Sequence, residues 1–350
     1  MFASCSQQNN AKSNSGETKS LDAPVEIGKP VAALGKRLMH IFEDSKHTYW
    51  FGCSGEGVFR VEGKNIIQYT TKDGLCDNHV GEIQEDQSGN LYFNTLKGIS
   101  KFDGKAFSTL RIGSNSADNW KLNPDDLWFT GAQDSGVVYR YDGSVLHRLA
   151  FPTTKEGDDH IAKFPRSEFP NANYSPYDVY IIFKDSEGHI WFGTSSLGVC
   201  RFDGTSFLWI SESELAFDVE TGFGIRSIVE ENNRFWFSNT RYRYKVAKEN
   251  DAYAVSKENG IGSLDGNKDG DLVAIMSMEK GIFGDIWMVT YNAGVWRFDG
   301  EKITHYPVEV DNKQITLFSI YQDRQGQLWL GTHEEGAYKF NGETFERFVP

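Results

Sequence analysis

The chain of 350 residues is acidic, with a formal net charge of −13, and rich in aromatic side chains at 14%. Its negative charge disfavours nucleic-acid phosphate as a partner, and no run approaches the roughly 18 apolar residues of a membrane-crossing helix. None of the four cysteines makes a Cys-x-x-Cys or Cys/His spacing that suggests zinc.

Residues 1–24 are poor in apolar side chains and read as a flexible polar tail. Within it, Phe2-Ala3-Ser4-Cys5 resembles the end of a bacterial lipoprotein signal, with small residues before a cysteine that becomes acylated. Neither a basic nor an apolar lead precedes it. Two readings stay open: the start is truncated, Cys5 carries a lipid anchor and the tail is its tether, or Cys5 is incidental. Residues 25–350 form the folded part, and Val25–Leu34 reads as chain laid along its outside.

From Met39 onward one unit recurs, and its clearest copy is Lys184–Gly204, KDSEGHIWFGTSSLGVCRFDG. Asp185 to Gly188 makes a turn, because Asp bonds the backbone ahead of it and Gly tolerates positive φ. His189–Thr194 and Val199–Phe202 are aromatic and β-branched, hence strands, and Asp203-Gly204 is a hairpin signal. Tyr180–Phe183 and Thr205–Ile210 complete a set of four short antiparallel strands. Copies begin at Thr48, Asn90, Asp126, Asp285 and Gln327, with a worn one at Arg234.

The anchor aromatics Trp50, Tyr92, Trp128, Trp191, Trp236, Trp287 and Trp329 make seven copies, about 46 residues apart, the size of one four-stranded propeller blade. A single meander cannot bury both faces; a ring of them can, and it leaves only short, protected edges. The expected fold is all-β: a single seven-bladed β-propeller with four antiparallel strands per blade and helix nearly absent. The blades are placed at about 39–69, 80–110, 120–149, 179–210, 224–256, 272–306 and 316–348.

The Asp-x-x-Gly and Phe-Asp-Gly turns are short and fall on one face. Thr71–Val80, Phe151–Asp178, Ser211–Phe223 and Asn259–Asp271 fall on the other, together with the turns between second and third strands. Variable loops on a uniform scaffold mark the face that recognises something. Aromatic residues off the repeat pattern are candidates to stack on sugar rings: Trp120, Tyr174, Tyr177 and Tyr291. Asn78, His79, Arg226, Asn292 and His333 are candidates to bond hydroxyls. Asp44, Asp86, Asp185 and Asp323 hold one place in the repeat and read as turn residues, and the Trp anchors read as core.

Leu264–Leu272 contains Asp-x-Asn-x-Asp-Gly, in which Asp265, Asn267, Asp269 and Asp271 could ligate calcium. Met276 holds the twelfth place, so the bidentate Glu of an EF-hand is missing and a polar turn is the competing reading.

Phe-Gly-Thr after Trp, Gly-Val-x-Arg-Phe-Asp-Gly, and Asp-Gly-Leu-x-x-Asn-x-Val-x-x-Ile-x-x-Asp-x-x-Gly over Asp73–Gly89 resemble two-component-regulator propeller repeats. Such repeats occur in the periplasmic sensor regions of bacterial hybrid histidine kinases. The resemblance implies a carbohydrate or related small ligand, or a protein partner, met in the periplasm or on an outer-membrane lipoprotein. Larger members of the family continue into a β-sandwich, a membrane helix and kinase modules. None follows Pro350, so the expectation is binding without phosphoryl transfer.

The repeat also resembles, more distantly, that of streptogramin lyases, propellers whose catalysis uses His, Glu and magnesium. That likeness implies an enzymatic alternative with His333 and Glu334 as base and metal ligand. No Ser-His-Asp pattern, phosphate-cradling glycine loop or His-Glu-x-x-His is present, and the expected function is non-enzymatic binding.

Overall fold

The aromatic and β-branched strings fold into strands and the Asp/Gly strings into turns. In the computed structural model, the described residues are 27–113, 120–165, 167–168, 175–215, 223–249, 252–262, 272 and 274–350. Cys5, Tyr174 and the calcium candidates Asp265, Asn267, Asp269 and Asp271 lie outside them.

Seven antiparallel sheets succeed one another along the chain as the blades of one propeller. Blade four shows the plan: Val179–Lys184 is innermost, followed outward by Ile190–Thr194, Val199–Phe202 and Phe207–Ile210. Blades one, two, five, six and seven repeat it, with inner strands Leu38–Glu43, Val80–Glu85, Ile228–Glu231, Ile275–Lys280 and Leu317–Gln322. Blade three shows three strands among the described residues, Leu127–Thr130, Val137–Tyr141 and Leu146–Ala150. Residues 114–119, just ahead of it, lie outside that set. Lys29–Val31 pairs with Ile66–Gln68 and adds a fifth strand to the rim of blade one, so the leading chain does run along the outside.

Each blade is fixed by its anchor. Trp50, Trp191 and Trp329 are almost wholly buried. Their indole Nε1 groups donate to the turn carboxylates Asp44, Asp185 and Asp323 at 2.8, 2.9 and 2.9 Å. The other oxygen of each carboxylate caps the turn: Asp185 Oδ1 accepts from the His189 amide at 2.8 Å. In blade two the Tyr92 hydroxyl donates to Asp86 at 2.8 Å, which explains how Tyr serves in place of Trp. A cation from the third strand lies over the ring: Arg201 at 5.7 Å from Trp191, Arg297 at 5.5 Å from Trp287, Lys339 at 3.9 Å from Trp329.

Blades three and six have lost the turn Asp. Leu122 and Gly281 stand six residues before Trp128 and Trp287, where four other copies carry Asp; blade five carries Glu230 there, and its Trp236 indole donates to Glu231 at 3.0 Å. The carboxylate reappears at Asp126 and Asp285, two residues before the Trp. There it grips the third-strand cation directly, Asp126 to Arg140 at 2.6 Å and Asp285 to Arg297 at 2.5 Å.

The glycine of Trp-Phe-Gly has a packing cause. A Cβ on Gly193 would lie 2.5 Å from the Ile225 carbonyl oxygen of the next blade, and one on Gly331 would lie 2.7 Å from that of Leu38. The inner segment of the next blade can approach the second strand only because that side chain is missing.

Inner strands leave a free edge toward the axis, whose amides need partners. Ser227 Oγ accepts from the Met278 amide at 2.9 Å, and Ser277 Oγ from the Ile320 amide at 3.2 Å, so one blade satisfies the next. On the turn face, Ser45 bonds Glu85 through its amide at 2.7 Å and hydroxyl at 2.6 Å, and Ser186 bonds Glu230 in the same way. The ring closes with the same clamp. The Arg324 amide of blade seven donates to Glu43 of blade one at 2.8 Å, the Glu43 amide donates to the Tyr321 hydroxyl at 3.1 Å, and Tyr49 packs 4.9 Å from Trp329. Among the described residues no strand is exchanged between the first and last blades.

Candidate functional site

The crossings between blades deliver the chain to the loop face, so each inner strand starts there. Five inner strands carry the same irregularity at that start. Their register slips between Leu38 and His40, Val80 and Glu82, Val179 and Ile181, Ile275 and Ser277, and Leu317 and Ser319. A bulge re-aims a side chain and ends regular pairing. The extra residues are Met39, Gly81, Tyr180, Met276 and Phe318, and all five line a central channel of about 530 Å³. Arg226, two residues ahead of the inner strand of blade five, joins them. The channel mouth is thus edged by one residue from each of six blades.

Deeper in the channel, burial pushes the His40 imidazole down to about 4 and the Glu279 carboxyl up to about 7. Both shifts favour the neutral form of the group.

On the side of blades four to seven the mouth becomes a continuous rail. The Arg226 guanidinium lies 4.0 Å over the Tyr180 ring, and its Nε donates to the Phe223 carbonyl at 3.0 Å. The Phe223 ring is 6.1 Å from Tyr291, Tyr291 is 6.3 Å from Phe318, and Phe318 stacks on His333 at 5.4 Å and 21°. All six side chains are partly exposed, and none belongs to a hydrophobic cluster of the described residues. Half-exposed aromatic faces beside a cation can stack on a ring and bond its substituents.

Arg226, Tyr291 and His333, singled out in the sequence, are therefore brought together, and Asn292 sits beside them. Asn292 is exposed, and its Oδ1 accepts from the Thr316 hydroxyl at 3.0 Å. His79 and Asn78 lie elsewhere on the loop face, between blades one and two. His79 Nδ1 meets Ser54 Oγ at 3.0 Å, and burial lowers its pKa. Asn78 works on the backbone: its Oδ1 accepts from the Thr71 amide at 2.9 Å and its carbonyl from Gly55 and Gly57 at 3.0 and 2.8 Å.

Two aromatic candidates need correcting. Trp120 packs against Trp128, Phe192, Phe202 and Phe207 at 4.9–5.9 Å and fills the seam between blades three and four. Tyr177 is only 5% exposed. Its hydroxyl donates to Asp158 at 2.9 Å and accepts from the Thr154 amide at 2.9 Å, pinning the start of helix α1 (Lys155–Lys163) to the ring. The helix carries Gly157 where a Cβ would lie 2.3 Å from the Tyr177 ring. Tyr177→Phe should therefore destabilise the fold by about 1–2 kcal/mol in urea titration, the worth of buried hydrogen bonds, and leave ligand affinity unchanged.

The arrangement required by the enzymatic alternative has two members here, His333 Nδ1 and Glu334 Oε1 at 3.9 Å. Among the described residues no group of three or more His, Cys, Asp or Glu side chains is placed to hold a metal.

Tyr180 and Phe318 escaped the sequence reading, and Phe223 was placed only within the Ser211–Phe223 loop. Their signal was present: in the frame Leu38/Val80/Val179/Ile225/Ile275/Leu317-x-x-Ile/Met, the first x varies between Met, Gly, Tyr, Arg, Met and Phe while its flanks repeat.

Comparison with known proteins agrees with this architecture. The fold class is the seven-bladed β-propeller. The two-component regulator propeller family model matches residues 173–196 and 310–334. The extracellular domain of the one component system BT4673 from B. thetaiotaomicron is similar in structure, with 16% identity and a TM-score of 0.59 over 89% of this chain. This chain spans 40% of that one. Virginiamycin B lyase from Staphylococcus aureus superposes with 14% identity and a TM-score of 0.58, covering 89% of this chain and 97% of its own. YCF48 from Cyanidioschyzon merolae does so with 13% identity and a TM-score of 0.57, covering 90% and 98%. At such identities the likeness is one of fold. No curated protein gives a significant match.

Proposed function

We propose that this propeller is a binding module of the bacterial envelope that takes a carbohydrate-related ligand across the loop-face mouth of its channel. The observation that carries this reading is the rail itself: Tyr180 beneath Arg226, then Phe223, Tyr291, Phe318 and His333 in successive ring contact, all partly exposed, with Tyr180 and Phe318 on bulged strands and none in a core cluster of the described residues. A bulge that aims an aromatic ring at a channel mouth does not serve the packing of the blades. The propeller repeats support a sensory or recognition role, and the likeness to an extracellular sensor domain supports a place outside the cytoplasm. In the same reading Cys5 is lipidated and residues 1–24 tether the ring; mass spectrometry of native material tests that, and an unmodified Met1 refutes it.

A thermal-shift screen of oligosaccharides, with and without calcium, tests the main reading. A binder at a hundred times its dissociation constant stabilises by about 2.7 kcal/mol. The expected result is a stabilising sugar that is recovered intact. A sugar that is consumed, with His333→Ala abolishing turnover but not binding, would instead establish the lyase-like enzyme. A melt that no sugar moves, with a co-purifying protein, would replace the carbohydrate by a protein partner. A calcium-dependent shift is the expected sign of a filled site at Asp265, Asn267, Asp269 and Asp271.

A further inference from the structure

Resting on that reading of the mouth, we infer that the ligand is an anionic sugar whose single acidic group docks on Arg226. Three arginines of blades three and six are each paired with a carboxylate. Arg140 holds Asp126 at 2.6 Å, Arg148 holds Asp134 at 2.6 Å and Arg297 holds Asp285 at 2.5 Å. Arg226 has no carboxylate partner among the described residues; its neighbours are the Tyr180 ring and the Phe223 carbonyl. Burial lowers its pKa from the ordinary value, as expected of a guanidinium short of both water and counter-charge. It nevertheless stays charged at neutral pH, because arginine does not deprotonate in proteins.

The setting narrows what this charge can hold. The chain as a whole carries −13, which repels a polyanion and tolerates one localised negative group. The nearby channel carboxylates are occupied or muted: Glu230 is bonded to Ser186, and burial raises Glu279 to about 7. Tyr180 holds the guanidinium plane from one side, so its planar fork is set in place for a carboxylate or sulfate oxygen pair. Beside it, the Phe223, Tyr291 and Phe318 faces give the ring bearing that group, and the next ring along, surfaces to stack on.

The test is calorimetric titration of the full chain with an oligosaccharide bearing one terminal uronate, with its methyl ester, and with a neutral and a singly sulfated oligosaccharide of equal length. The wild-type protein should bind one of the acidic probes at least about tenfold more tightly than its neutralised or neutral counterpart, the worth of a charge-assisted bond. Preference for the uronate over the sulfated probe identifies the carboxylate as the source of the charge, and the reverse identifies the sulfate. Arg226→Gln should bring the acidic and neutral probes to within about twofold of each other, and Arg226→Lys should keep part of the preference. Melting of the ligand-free variants verifies that each is folded. Equal affinity of wild type for acidic and neutral probes overturns the inference while leaving the mouth a sugar site. Binding of none of the four probes overturns both.

Discussion

Trp191→Ala is expected to destabilise the propeller by about 3–5 kcal/mol, the range for truncating a buried aromatic. Trp191 is 0% exposed, and its ring lies 4.4 Å from Phe235 of the next blade, so truncation opens the seam between blades four and five. The loss is more than volume. Asp185 loses the indole donor at 2.9 Å while still capping its turn, and Arg201 loses the ring beneath it. Urea titration measures the effect. A cost below about 1 kcal/mol would mean that the cavity collapses freely and that the anchor is not the organising residue of its blade.

Asp126→Ala should cost a comparable amount, about 3–5 kcal/mol, for a different reason. The Asp126 and Arg140 side chains are 4% and 2% exposed; Arg140 Nη1 makes the bond, and its Nε has no hydrogen-bond partner among the described residues. Removing the carboxylate strands a cation in the interior. Replacing both, as Asp126→Leu with Arg140→Met, should recover most of the loss, because a well-packed apolar pair substitutes for a buried ion pair. If the double variant is as unstable as the single one, the cost lies in the turn at Asn123–Asp126 and not in the stranded charge.

These two sites show what the sequence made legible. Trp191 and Asp185 recur in register, so period and turn chemistry alone identify blade, anchor and cap. Asp126 and Asp285 were not recognised as their counterparts, because the carboxylate shifts along the turn and changes its partner from an indole to a guanidinium. Position along the chain does not reveal that exchange; only the third-strand cation across the sheet does.

The site was legible to a lesser degree. Arg226, Tyr291 and His333 were singled out as candidates because they depart from the repeat. The same reasoning misled at Trp120 and Tyr177, where a residue outside the repeat was read as free of structural duty. An insertion must pack too, and these aromatics pin theirs to the ring. Tyr180 and Phe318 were hidden for the opposite reason. They lie inside blade strands, where an inward aromatic reads as core, and only the register slip reveals that they face the channel.

The central claim is that the aromatic rail at the loop-face mouth, bulge residues together with the neighbouring turn aromatics, makes the binding site. Its most direct test is titration of the best oligosaccharide from the screen into Phe318→Ala and Tyr291→Ala. The account predicts affinity weakened about tenfold or more in each, the worth of a lost stacking face, with ligand-free melting close to wild type. Wild-type affinity in both variants, with binding abolished instead by changes on the turn face, would contradict it.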